Sequence, residues 1–151
     1  MSKDWVQDIS DMHKKFGVND WVEKTVHDAW QNSARVHSKN EYTDKLKKFL
    51  DFRLEFLKEE LNETIKASKE EDCAEVVDGL IDLCVVAIGT LNAFQVDPYK
   101  AWDEVHKANM TKEPGIKKSR PNPLGLPDLI KPKGWEGPEH YANIGVLPYA
   151  L

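Results

Sequence analysis

The sequence lacks any hydrophobic run long enough to cross a membrane. Of its 151 residues, 40% are hydrophobic and 31% are charged, and none of its segments approaches the roughly 20 uninterrupted apolar residues that a bilayer requires. Cysteine is scarce as well: Cys73 and Cys84 are the only two, about three helical turns apart and too distant for a disulfide. The acidic first thirty residues lack the basic-then-apolar order of a secretory signal. We therefore expect a cytoplasmic protein without a membrane partner.

The sequence also lacks the excess of positive charge that broad nucleic-acid binding requires. Its formal net charge is -5, so we expect no nucleic-acid partner. The negative charge is concentrated in one segment. Between Glu55 and Asp82 there are ten acids and three lysines, a local charge of -7, which leaves +2 for the rest of the chain.

Proline is almost absent from the first three quarters of the chain. Seven of the eight prolines and five of the eight glycines lie beyond Glu113, and Pro98 is the only proline before it. Upstream, the apolar residues recur at helical spacing, which predicts an all-α protein. We expect a helical catalytic domain over 1–112 and an irregular tail over 113–151 that packs on that domain or on a neighbouring subunit.

The apolar spacing predicts four main helices around one core. The first covers about 3–15. A mixed region over 18–40 combines helical turns with a polar loop. A long amphipathic helix follows over 44–67, with Asp44 as its N-cap. The next helix covers about 73–94, and its later part, 79–94, is apolar nearly all round and therefore buried. The last begins at Pro98 and runs to about 112.

Carboxylates converge on two of the predicted helices. Because each helical residue advances about 100°, Glu59, Glu60 and Glu63 lie within about one turn of each other. On the next helix, Asp78 and Asp82 are about 40° apart, and Glu75 is about 20° from Asp82 around the axis. If the two helices are antiparallel neighbours, the acidic stripes can face each other and their repulsion calls for cations.

Charged helical stripes usually face solvent, but Asp82 argues against that interpretation here. A carboxylate inside an otherwise apolar helix is costly unless it is paired or bound to metal. An ion pair with Arg53 is one alternative. Oxygen-only clusters select hard cations such as Mg²⁺ or Mn²⁺, and the sequence has no cysteine and histidine grouping with zinc spacing. We therefore predict magnesium.

Three segments resemble one known family. The segment 59–63 (EELNE), the acidic pair on the following helix and the segment 105–112 (VHKANMTK) are similar to the MazG-type all-α nucleoside triphosphate pyrophosphohydrolases. Relatives of that family include the dimeric dUTPases and phosphoribosyl-ATP pyrophosphatase. The segment 129–135 (LIKPKGW) resembles the C-terminal region of small phage and bacterial members. The resemblance implies a four-helix bundle.

The family pattern of metal ligands is ExxE followed by ExxD on two antiparallel helices. Its first half corresponds to Glu60 and Glu63, with Glu59 as an extra acid. The second half has two registers: Glu75 with Asp78 matches literally, whereas the spacing to Gly89 and Asn109 favours Asp82 as the terminal aspartate. In the latter register Gly79 occupies the glutamate position, and Asp78 or Glu75 must substitute. We rank Asp82 and Asp78 above Glu75.

The resemblance implies hydrolysis of a (deoxy)nucleoside triphosphate to the monophosphate and pyrophosphate. Mg²⁺, or Mn²⁺ in its place, would bridge carboxylates and phosphates, with Glu59 or Glu60 as the candidate general base. Asn109, Lys112 and Arg53 are the candidates for substrate contacts. Candidate aromatic residues for the base are Phe16, Trp21, Trp30 and Trp135.

Substrate and assembly remain open at this point. Likeness to small phage-type members favours a purine nucleotide such as dGTP or GTP, and a homodimer or homotetramer is expected. Phosphoribosyl-ATP is the alternative substrate. The alternative from another class is a non-catalytic helical protein that binds a nucleotide or a partner through the same acidic groove.

Overall fold

Helices make up most of this computed structural model, which describes residues 3–35, 38–120, 123–125 and 128–151. The all-α prediction is confirmed. Within those residues there are five α-helices rather than four: α1 (Trp5–Lys15), α2 (Val18–Gln31), α3 (Glu41–Lys69), α4 (Cys73–Ala93) and α5 (Pro98–Met110).

The chain divides into two compact units. The described residues of 1–98 form the first unit together with 144–151, and residues 99–143 form the second. The second unit holds most of α5, a short antiparallel pair of strands, β1 (Glu113–Gly115) and β2 (Asp128–Ile130), and a 3₁₀ turn over Tyr141–Asn143. The sequence-based boundary between 112 and 113 stays a prediction.

The helical turns predicted after α1 form one continuous helix over 18–31. Gly17, at φ +74°, ends α1 and leads directly into α2. This left-handed conformation suits glycine, which has no Cβ to clash. Helix α2 then buries Val22, Thr25 and Ala29. The predicted polar loop falls partly on positions 36 and 37, which lie outside the described residues.

Helix α3 begins earlier than predicted, because Asn40 rather than Asp44 is its N-cap. The Asn40 side chain accepts hydrogen bonds from the backbone N–H groups of Tyr42 (3.0 Å) and Thr43 (3.1 Å). The Thr43 hydroxyl in turn accepts one from the Asn40 N–H at 2.9 Å. This capping box satisfies donors that the first helical turn leaves free. Asp44 lies inside the first turn.

The core of the first unit is centred on α2, α3 and α4. Val22, Leu46 and Phe94 are fully buried in it. The C-terminal segment completes this core: Ala150 is fully buried there, and the Val146 N–H donates to the Phe94 carbonyl at 2.8 Å. The last residues of the chain therefore belong to the same packed unit as the long helices.

The later part of α4 is not buried all round, which corrects a prediction. Leu80 and Ile81 are exposed there, at 52% and 43% respectively. The buried positions of α4 are mostly small, namely Gly79, Val86, Gly89 and Ala93. Small residues let α4 approach its neighbours closely, so the large apolar side chains point to other faces. The described part of the chain contains no helix that is both long and apolar enough to cross a bilayer.

Candidate functional site

A tight connection places α3 and α4 side by side. Only residues 70–72 separate the two helices, which makes them antiparallel neighbours. At the end of α3 the Glu71 N–H donates to the Ser68 carbonyl and the Asp72 N–H to the Ala67 carbonyl, at 3.3 and 3.0 Å. This is a Schellman motif with Glu71 in the left-handed conformation at φ +59°. Asp72 then caps α4 by accepting from two backbone N–H groups, those of Ala74 and Glu75.

Gly79 and Thr64 bring the two helices close together. Gly79 is buried, and a Cβ added there would lie 2.2 Å from the Thr64 Oγ1 atom. The Thr64 hydroxyl donates to the Glu60 carbonyl at 2.7 Å, which holds that side chain in place. Sequence reasoning treated Gly79 only as a missing glutamate. A glycine inside an apolar helix was nevertheless a signal for this close approach.

An acidic groove runs between α3 and α4, with a volume of about 230 Å³. We use the name acidic groove for this surface throughout. Lys66 is the only cation among its lining residues, and sequence reasoning did not place it there. The acids that line the groove are Glu60, Glu63, Glu70, Asp72, Glu75, Asp78 and Asp82.

Six of the predicted metal ligands can now be placed. Five of them, Glu60, Glu63, Glu75, Asp78 and Asp82, line the acidic groove. Glu59 instead lines a shallow depression on the outer side of α3, which Glu63 also borders. The structure therefore brings acids of both helices together, with Glu59 beside rather than inside the groove.

The surroundings of Glu60 shift its pKa. Partial burial is the largest cause that raises its pKa above the ordinary value. The negative charges of Asp82, Glu63, Glu59 and Asp78 follow, in that order. Glu60 thus faces repulsion from both helices, which a bound cation would relieve.

The second half of the ligand pattern keeps its two registers. Gly79 packs against Thr64, so position 79 has no room for a ligating side chain. Asp78 and Asp82 both raise the pKa of Glu60, and Glu75 is not among the causes. The ranking of Asp82 and Asp78 above Glu75 stays a prediction.

The carboxylates of the groove do not converge on a single point. Among the described residues, no three Asp, Glu, His or Cys side chains form a ready cluster for a metal ion. All the acids nevertheless offer oxygen atoms, the donors that hard cations such as Mg²⁺ prefer. The donor set therefore fits a divalent cation in its chemistry and charge.

Arg53 is bound to α4 away from the acidic groove. Its Nε donates to the Thr90 hydroxyl and one terminal nitrogen to the Val86 carbonyl, both at 3.0 Å. The described residues include no ion pair between Arg53 and Asp82, the structural alternative raised above. A contact between Arg53 and substrate stays a prediction.

The other predicted substrate contacts, Asn109 and Lys112, lie in the second unit. There the Lys112 ammonium donates to the Asn109 amide oxygen at 2.7 Å. The two side chains are therefore within reach of one another. Their contact with substrate is untested and is taken up again below.

Two of the aromatic candidates lie far from the groove within one chain. Trp21 and Phe16 border an apolar depression that also includes Phe49. Phe49 and Glu63 are fourteen residues apart on α3, a rise of about 21 Å. A nucleotide whose phosphates lie in the groove would not reach these rings in the same chain.

One known family matches this chain. Residues 23–109, more than half of the chain, match the family described as phosphoribosyl-ATP pyrophosphohydrolase. No curated protein and no solved structure gives a significant match. The matched region contains both acidic helices, and the predicted resemblance is confirmed. The chain therefore belongs to the phosphoribosyl-ATP pyrophosphohydrolase family of the MazG-like superfamily and is a hydrolase of nucleotide phosphoanhydride bonds.

Proposed function

We propose that the chain hydrolyses a (deoxy)nucleoside triphosphate to the monophosphate and pyrophosphate with Mg²⁺ as its cofactor. The observation that carries the proposal is the meeting of carboxylates from α3 and α4 in one groove. Those charges repel one another at Glu60, and a polyphosphate would add further negative charge. A divalent cation would offset both the repulsion among the carboxylates and the charge of the polyphosphate.

The residues that would hold Mg²⁺ are Glu60, Glu63, Asp78 and Asp82, with Glu75 as the remaining candidate. When bound, Mg²⁺ supplies positive charge against the phosphate oxygens and makes a water molecule more acidic. Mn²⁺, which also prefers oxygen ligands, would substitute.

Glu60 is the better of the two candidate bases. It lines the acidic groove, where the attacking water would lie, whereas Glu59 does not. It would take the proton of the attacking water. Glu59 lies on the outer side of α3 and would act on Glu60 through its charge. Asn109 and Lys112 would donate to sugar or phosphate oxygens.

The preferred substrate is a purine nucleotide such as dGTP or GTP in this proposal. Support comes from the likeness of the chain to small phage-type members, and no single residue carries it. Phosphoribosyl-ATP is the second candidate, because it is the substrate in the description of the matched family.

The assembly we propose is a homodimer or homotetramer. Leu80 and Ile81 of α4 are exposed in the single chain, as are Leu54, Leu61 and Ile65 of α3. Helix faces with several exposed large apolar side chains are typical of protein interfaces. A second copy of the chain would cover them, because most oligomers of soluble proteins are symmetric. Light scattering coupled to size exclusion measures the mass directly, and a monomer at micromolar concentration would contradict this assembly.

The first experiment measures which bond is cleaved and in which nucleotide. The purified protein is incubated with Mg²⁺ and each of the eight common NTPs and dNTPs, and separately with phosphoribosyl-ATP. Pyrophosphate and orthophosphate are quantified independently. We expect pyrophosphate and a monophosphate, with purine nucleotides turned over fastest. Absence of turnover with every substrate, in both Mg²⁺ and Mn²⁺, would contradict the proposal.

A pair of variants ties this reaction to the groove. Glu60→Gln should lower kcat about 10²–10⁴-fold, the usual contribution of a general base. Glu55→Gln is the matched control, because Glu55 is an exposed acid of the same helix, beside Lys58, and it does not line the groove. Equal losses in the two variants would show that Glu60 has no special role.

A further inference from the structure

The second unit contains a cleft of about 350 Å³ whose chemistry differs from that of the acidic groove. One wall is α5 and the residue after it, and the other is the turn that contains Trp135. We call it the lysine cleft. Its lining residues all lie within 99–143: Glu104, Lys107, Ala108, Thr111, Pro132, Lys133, Gly134, Trp135, Glu136 and Gly137.

A turn fixes Trp135 against the end of α5. The Trp135 N–H donates to the Pro132 carbonyl at 3.1 Å, and Gly134, at φ +79°, takes the left-handed position of the turn. The indole Nε1–H donates to the Ala108 carbonyl at 2.9 Å. Trp135 is therefore held through both its backbone N–H and its indole N–H. Lys133 lies at the exposed corner of the turn.

The strand register brings two further lysines together. Glu113 pairs with Ile130 in the antiparallel β1–β2 ladder, so Lys112 and Lys131 are the next residues outward on the two chain segments. Both ammonium groups lie over the Trp135 ring, at 5.2 and 4.6 Å from its centroid. The ring attracts each cation, but like charges at such positions repel one another. Two positive charges therefore lie beside one ring, and the Lys112 ammonium also donates to Asn109.

The charged residues that line the cleft balance, Lys107 and Lys133 against Glu104 and Glu136. The excess of positive charge comes from Lys112 and Lys131 over its tryptophan. The Glu104 carboxylate already accepts from the Glu139 N–H at 3.2 Å. None of the four lysines forms an ion pair with an acid of the described residues. The charged side chains that line the cleft or lie over its tryptophan carry a net +2: Lys107, Lys112, Lys131, Lys133, Glu104 and Glu136.

We propose that the lysine cleft binds a pyrophosphate group, either the linked phosphates of a nucleotide or the released product. A polyphosphate offers several oxygens to ammonium groups that approach from the ring and from the turn. The concave shape and small volume fit a small anion rather than a nucleic-acid strand, and the chain as a whole is acidic. The source of the pyrophosphate group rests on the proposed function, whereas the binding chemistry does not.

The test is calorimetric titration of the full chain with sodium pyrophosphate in EDTA and low salt. EDTA removes divalent cations, so binding through a metal in the acidic groove is excluded. We expect binding by the unmodified protein, weakened about tenfold in Lys131→Gln and in Lys133→Gln, since each loses a charge-assisted hydrogen bond. Lys118→Gln is the matched control, because Lys118 is an exposed lysine of the same unit outside the cleft, and it should bind as the unmodified protein does.

Further titrants distinguish the sources of the anion. Equal affinity for pyrophosphate and for dGTP would show that the cleft recognises the phosphate chain alone. Tighter binding of dGTP would show that the cleft also contacts the nucleoside. Orthophosphate should bind more weakly than either. Trp135 emission should change on binding, and Trp135→Phe should abolish that change.

Two results would overturn the inference: no pyrophosphate binding in EDTA, or equal binding by the Lys131→Gln/Lys133→Gln double variant. Its failure is distinguishable from failure of the proposed function. Nucleotide hydrolysis without pyrophosphate binding at the cleft would leave the function intact and refute the cleft. Pyrophosphate binding without hydrolysis of any nucleotide would support the cleft and refute the proposed function.

Discussion

The acidic groove and the lysine cleft carry opposite charge for different structural reasons. In the groove, acids on two regular helices face each other because Gly79 and Thr64 let the backbones approach. In the cleft, lysines are brought together by a strand register and by one tryptophan ring. Repulsion in the first calls for a cation and in the second for an anion. Hydrolysis of a polyphosphate needs both kinds of contact, and helical periodicity revealed only the first.

The largest effect we expect is the loss of activity in Asp82→Asn. If Asp82 holds metal, turnover should fall about 100-fold or more. Thermal stability in EDTA should stay level or rise, because the variant removes the charge that repels Glu60 most strongly. Activity and melting temperature would thus move in opposite directions.

A purely structural role for Asp82 makes the opposite prediction, with melting temperature reduced and activity largely kept. The control is Asp51→Asn, which removes an exposed acid of α3 paired with Lys47 at 2.8 Å. Surface pairs of this kind contribute little to stability. The two variants are compared by steady-state kinetics and calorimetry.

The next largest effect concerns the close approach that forms the groove. Gly79→Ala should destabilise the protein by about 1–2 kcal/mol, because the added methyl group meets the Thr64 hydroxyl. Removing that hydroxyl in Thr64→Ala should restore most of the loss in the double variant. Chemical denaturation of the four proteins in this cycle measures the coupling. A Gly79→Ala variant more stable than the parent would refute the close packing of these helices.

A buried histidine of the first unit, outside the acidic groove, should make the stability of the protein depend on pH. His13 is buried beside Arg53, and burial first and the Arg53 charge second lower its pKa, with Asn19 opposing. The unfolded chain therefore binds a proton at higher pH than the folded one. Stability contributed by neutral His13 should be complete above about pH 6.5 and be lost as the pH falls toward the lower folded pKa.

Thermal melts between pH 5 and 8 measure this slope. His13→Gln should flatten it, whereas His27→Gln, a change at an exposed histidine, should leave it as it is. An unchanged slope in His13→Gln would assign the pH dependence to other groups.

The smallest expected effect is that added salt raises the melting temperature but weakens pyrophosphate binding. In EDTA, added NaCl should raise the melting temperature by about 1–2 °C, because it screens repulsion in the acidic groove. The same salt should weaken pyrophosphate binding at the lysine cleft. Melts and titrations over one NaCl series test both. A parallel response of the two would remove the electrostatic contrast between the regions.

Helical spacing predicted which acids line much of the groove, but it did not predict which apolar residues near the groove are buried. The positions of Glu60, Glu63, Asp78 and Asp82 follow from helical periodicity and a short connection. Whether an apolar position such as Leu80 is buried depends on distant packing partners, which periodicity does not specify.

Other features also depended on contacts that spacing alone leaves open. Asn40 and Asp44 are both good capping residues, and the reciprocal bond with Thr43 decided between them. The partners of Arg53 lie more than thirty residues away. The meeting of Lys112 and Lys131 required a strand register that three-residue strands do not reveal in sequence.

The burial of Ala150 has a consequence for the order of events during synthesis. The core around Leu46 and Phe94 is closed by a segment made some fifty residues after α4. At bacterial or eukaryotic rates of about 5–20 residues per second, that delay is about 3–10 s. During it, α2, α3 and α4 have emerged or are emerging without the wall that completes their packing. The first unit should therefore reach its final stability only after residues 144–151 have left the ribosome.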